Sequence, residues 1–139
     1  MITLPVKLFA AASVALSVSG GFVIDRTIDG PYRLVAVDVP EDASVCLTLD
    51  GGDCLGRVDG SVFAVGWNET HVVVARHPMG LGGQADRSKT EYYYIIRSLD
   101  GVLADPSVSV KGPFDKVAFE NEKARVKLPG FTMGEPELR

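Results

Sequence analysis

Beyond residue 20 the chain repeatedly alternates apolar and polar positions with a period of two, the signature of half-buried strands. Tyr32 to Val39 (YRLVAVDV) is β-branched and places Val35, Val37 and Val39 on one face. Val45 to Leu49 groups Val45, Leu47 and Leu49, and Leu55 to Val58 reads as its return strand. Ser61 to Trp67 groups Phe63, Val65 and Trp67. His71 to Arg76 (HVVVAR) is apolar in part on both faces, as a central strand requires. Glu91 to Arg97 (EYYYIIR) is a further strand, Phe22 to Asp29 a lead-in or edge strand, and Ser107 to Val110 a short additional one. Asp29-Gly30-Pro31, Pro40-Glu41-Asp42, Asp59-Gly60, Asn68-Glu69-Thr70 and Leu99-Asp100-Gly101 punctuate these runs as turns. Pro78 to Lys89, rich in glycine and polar residues, reads as a mobile loop.

The last periodic element is helical. Asp115 suits an N-cap, Phe114 and Phe119 suit a hydrophobic staple, and Lys123, Arg125 and Lys127 suit the negative end of the helix dipole. Pro129-Gly130 ends it. Its apolar stripe, Phe119 and Val126, is narrow, so it packs on the sheet by about one turn. These elements predict an α+β domain over 21–128, mainly an antiparallel, meander-like sheet of about six strands with one C-terminal helix packed on it. Residues 129–139 form a tail without periodicity.

Residues 1–20 are of a different kind. Lys7 gives a weak positive region, Leu8 to Val18 an apolar run too short to span a bilayer comfortably, and Ser17, Ser19 and Gly20 small residues fit for cleavage. The segment reads as a signal peptide, with a buried N-terminal element as the alternative. Export in a bacterium would place the chain in the periplasm or outside the cell, tethered if the segment is retained. Cys46 and Cys54 suit an oxidising compartment. A three-residue loop ending at Gly51 sets them directly opposite each other, within disulfide reach. A Gly51-Gly52 turn breaks that register and leaves two free small core residues.

Composition narrows the function classes. The formal net charge is −4 at pH 7 and there is no basic run, which argues against nucleic-acid binding and against charge-driven attachment to anionic lipid. Membrane contact would come only through the N-terminal segment. The two histidines, His71 and His77, lie six residues apart. Along a strand that is about 20 Å at ~3.3 Å per residue, too far to share a metal. His71 reads as core-edge and His77 as loop-facing. No G-x-S-x-G or S-x-x-K motif is present, and Gly80-Leu81-Gly82-Gly83 lacks the Lys-Ser/Thr of a phosphate loop. Asp50, Asp53 and Asp59 cluster at turns without EF-hand spacing. No catalytic, metal or cofactor site is therefore expected. Tyr92 and Tyr94 share a face opposite Tyr93, and together with Trp67 they supply the aromatic types enriched at interfaces. The competing reading packs them in the core with their hydroxyls at the rim.

Several stretches line up in order: Tyr32-Arg33-Leu34-Val35 with Asp38, Val65-Gly66-Trp67-Asn68, Tyr93-Tyr94-Ile95-Ile96, and Gly112-Pro113 followed by Phe119. Over residues 30 to 128 the set resembles a family of small uncharacterised bacterial lipoproteins, a domain of unknown function. Gly21 stands where that family carries its lipid-bearing cysteine, and the Cys46–Cys54 pair is not a general feature of it. The resemblance implies export and a β-rich fold and transfers no catalytic residue. The expectation is a non-enzymatic, protein-binding module of the bacterial envelope whose partner is another envelope or secreted protein. The alternatives are a hydrolase using His71 and a structural envelope protein.

Overall fold

The structure is a computed structural model that describes residues 21–139; the signal-peptide reading lies outside the described residues. The fold is α+β, with two antiparallel sheets and a C-terminal helix. The first sheet is a four-strand meander, β1 (Ile24–Asp29), β2 (Tyr32–Ala36), β3 (Ser44–Thr48) and β4 (Cys54–Val58). The second contains β5 (Val62–Trp67), β6 (His71–Arg76), β7 (Glu91–Ile96), β8 (Val110–Phe114) and β9 (Met133–Gly134), in the order β8-β7-β6-β5-β9. The expected strands thus split between two sheets, and the Asp59-Gly60 turn carries the chain from one to the other rather than closing a hairpin.

Period-two alternation explains the layering. Leu34, Val45, Leu47 and Val58 from the first sheet meet Val62, Val65, Val72, Val74 and Ile95 from the second in one buried core. The opposite face of the second sheet sends Val73 and Tyr94 toward the helix α2 (Lys116–Val126), where they pack with Phe119 and Leu128. Both faces of β6 are therefore covered, which accounts for its unbroken apolar run. Asp115 caps α2 by accepting from the Ala118 amide at 2.8 Å, and Lys127 closes it in the left-handed region at φ 57°. The two phenylalanines expected to staple the helix stack on separate tyrosines, Phe114 on Tyr94 and Phe119 on Tyr92.

Four segments depart from the expected elements. The strand expected over Tyr32 to Val39 ends at Ala36, so Val37 and Val39 lie beyond it and are exposed rather than sharing a strand face with Val35. Residues 106–109 form a short helix, α1 (Pro106–Ser109), instead of a strand, because Asp105 accepts from the Ser107 amide and Pro106 fits the first turn. The strand begins after it, at Val110. The tail packs: β9 pairs with β5, and Leu138 is 3% exposed within the core between the sheets. Backbone crosses backbone there, since a Cβ on Gly66 would overlap the Gly130 carbonyl. Finally, Cys46 and Cys54 are disulfide-bonded with Cα atoms 5.4 Å apart, but across a diagonal. Cys54 pairs with Thr48 and Cys46 with Gly56, because the loop between β3 and β4 runs over five residues, 49–53, rather than three.

Candidate functional site

Of the aromatic surface expected of Tyr92, Tyr94 and Trp67, Tyr94 is buried, while Tyr92 and Trp67 are half-buried. Tyr94 is only 4% exposed, and its hydroxyl donates to Glu122 Oε2 of α2 at 2.8 Å. The ring of Tyr92 stacks on Phe119 at 4.8 Å and lies 6.2 Å from that of Phe131. Trp67 leans on the core between the sheets, away from the tyrosine pair. The alternation itself is as expected, with Tyr92 and Tyr94 on one face and Tyr93 on the other. What covers the first face is α2. Burial pushes the Tyr94 phenol up, and its bond to Glu122 adds to the shift.

The histidines also separate. His71 begins β6 beside the Asn68–Thr70 turn, where Asn68 Oδ1 accepts from the Thr70 and His71 amides. The Thr70 hydroxyl lies 2.7 Å from His71 Nδ1 and also faces Asn68 Oδ1 at 3.0 Å. Among the described residues no carboxylate bonds the His71 ring, and burial lowers its pKa. His77, expected to face the loop, is buried instead. Its ring stacks on Phe63 at 4.4 Å and Nδ1 donates to the Lys89 carbonyl at 2.7 Å. That bond closes the base of the Pro78–Lys89 loop, joining the residue before it to its last. Among the described residues no group of three metal-ligating side chains occurs.

A buried polar cluster forms around a residue that the sequence reads only as a turn. Asp100 has a side chain with 0% exposure. It accepts from Arg57 Nε at 2.9 Å, from the Tyr32 hydroxyl at 2.8 Å and from Ser109 Oγ at 3.0 Å. Arg57 also donates to the Gly101 carbonyl at 2.9 Å. Burial alone would push the Asp100 carboxyl up; the bonds from Arg57, Tyr32 and Ser109 and the Arg57 charge outweigh it and hold it low. Burial and the same carboxylate push the Tyr32 phenol up. Arg97 donates to Asp29 Oδ2 at 2.6 Å and to the Asn68 carbonyl at 2.7 Å at the same end. These groups fasten the segment after β7 to both sheets. With every polar atom engaged, the cluster is a structural clamp.

Concave surface lies at the opposite end. The Pro78–Lys89 loop stands between two hollows. One, of about 1060 Å³, separates it from Pro113, Phe114 and Asp115 at the start of α2. The other, of about 410 Å³, separates it from Val39, Glu41, Asp42 and Ser61. Backbone bonds hold the loop in shape: Gly80 N to Gln84 O at 2.7 Å and Asp86 N to Pro78 O at 2.8 Å. At its tip Leu81 is fully exposed, Met79 is 68% exposed, and Gly82 and Gly83 take positive φ. The carboxylate of Asp86 accepts from the Ser88 hydroxyl and amide, which keep it below its ordinary range. The sequence signal for this site was present in Met79 and Leu81, two large apolar residues inside a run of glycines and polar groups.

No family model matches the chain, and neither a curated protein nor a solved structure does. Among the described residues no helix is long and apolar enough to cross a membrane.

Proposed function

We propose that the chain is a non-enzymatic, protein-binding module of the bacterial cell envelope, periplasmic or secreted, and that it engages its partner through the Pro78–Lys89 loop. The observation that carries this reading is Leu81, a fully exposed leucine on a loop with a hydrogen-bonded frame and a hollow on each side. An apolar side chain held out on an ordered support is a pre-organised anchor, because less ordering remains to be done on binding. Export is supported by the apolar run of Leu8 to Val18 and is consistent with the disulfide. The test is capture from envelope extract by the tagged chain, compared with Leu81→Asp. A discrete partner retained by the wild type and lost on Leu81→Asp, at unchanged melting temperature, supports the reading. A partner captured equally by both chains removes the loop from it.

A further inference from the structure

The larger hollow has a definite chemistry. Met79, Leu81, Pro113 and Phe114 give it apolar walls, while Asp86, Glu91 and Asp115 set carboxylates around it against a single cation, Lys89. Glu91 is already paired with Arg76 at 2.9 Å, so its charge is largely answered. The hydroxyl and amide of Ser88 keep Asp86 ionised. Asp115 accepts from the Ala118 amide through Oδ1, and the residue remains exposed. The smaller hollow continues the same bias across the loop, with Glu41 and Asp42 against Arg87. A surface that combines apolar side chains with an excess of carboxylates complements a ligand that is apolar and cationic.

Shape narrows the ligand further. About 1060 Å³ is at the upper end for small-molecule sites, and the fully exposed Leu81 leaves one wall open to solvent. An enclosed metabolite would gain little there, whereas a chain segment lying along the groove would cover Met79, Leu81 and Phe114 together. Strand addition is disfavoured at the adjoining edge, because Pro113 in β8 has no N–H to donate. Recognition would run through side chains instead.

We infer that this groove takes an extended, lysine- or arginine-bearing segment of a partner protein, with apolar side chains between its cations. The inference rests on the protein-binding reading above and adds the character of the partner. Asp86 and Asp115 hold the cations, and Met79, Leu81 and Phe114 receive the apolar side chains between them.

The experiment uses the chain from Gly21 to Arg139 and two labelled peptides, one alternating Lys and Leu, the other Glu and Leu. Binding is read by fluorescence anisotropy and mapped by amide chemical shifts. The Lys-Leu peptide is expected to bind, with shifts confined to residues 78–91 and 113–118, and the Glu-Leu peptide is not. Asp86→Asn with Asp115→Asn should weaken the Lys-Leu peptide about tenfold. Both substitutions retain the side-chain oxygen that serves the local turn or cap, so the melting temperature should hold. Equal binding of both peptides, shifts centred elsewhere, no binding by either, or an unchanged affinity in the double variant would each overturn the inference. If the Lys-Leu peptide fails while Leu81→Asp still abolishes capture from extract, the charge assignment is wrong and the protein-binding reading survives. If Leu81→Asp also leaves capture unchanged, the reading itself has failed.

Discussion

Leu81 and Leu103 are each exposed to their full extent at opposite ends of the two-sheet fold, yet their surroundings differ in kind. Leu103 stands on the segment that Asp100 fastens down. There Arg57, Tyr32 and Ser109 turn their polar atoms inward and donate to the Asp100 carboxylate. Leu81 stands on a loop flanked by hollows, with the Asp86 and Asp115 carboxylates beside it. Scattered exposed leucines are ordinary on protein surfaces. The contrast teaches that exposure alone does not mark a site; open space and solvent-facing carboxylates around the exposed side chain do. One end contributes rigidity, and the other offers a surface.

The comparison breaks most visibly at Asp100. Asp100→Ala leaves the buried Arg57 guanidinium without its partner, and unfolding in urea should show a loss of about 3–5 kcal/mol. Leu103→Ser and Leu81→Ser, by contrast, should each stay within about 0.5 kcal/mol of the wild type. A cost at Leu81 comparable to that at Asp100 would mean that the loop is part of the scaffold.

Next in size is the disulfide, which staples the β3–β4 hairpin at the clamped end. Replacing both cysteines by alanine should cost about 2–3 kcal/mol for a loop of this length. Amide exchange should rise at residues 46–54 and stay unchanged at 78–89. Faster exchange in the loop would show that the two ends are coupled.

Smaller effects follow pH. Asp100 is held low in the native state, so its contribution is complete above the unfolded aspartate value of about 4 and is lost as pH falls through the lower native value. Tyr32 is held high, so its contribution is complete below about pH 10 and declines as pH rises above that, where the unfolded tyrosine ionises first. The urea midpoint should fall at both limits, and Asp100→Asn should flatten the acid limb. An acid limb that is identical in Asp100→Asn would assign it to other carboxylates.

Local pattern made the strands legible. The β-branched run at His71 to Arg76 and the alternation at Tyr92 to Tyr94 named their elements and faces, and Asp115 marked the start of the helix. What stayed hidden depends on partners far along the chain. Leu99-Asp100-Gly101 looks like a surface turn because Arg57, which buries Asp100, lies 43 positions earlier. The residues Met133 to Leu138 have no period, and their place is fixed by the close crossing at Gly66 and by room for Leu138 between the sheets. The turn at Asp59-Gly60 has hairpin chemistry, and nothing local says that the next strand joins another sheet. The tyrosines illustrate the same limit. Period two says which side chains share a face but not whether a helix will cover it.

The most direct measurement is site-specific photo-crosslinking in cells that produce the full chain. A benzophenone side chain is placed at position 81 in one variant and at position 103 in another, two positions matched in exposure. A discrete crosslinked adduct from 81 and none from 103 is the predicted result. Adducts from 103 alone, or the same adduct from both, would contradict the division of this molecule into a clamped end and a binding end.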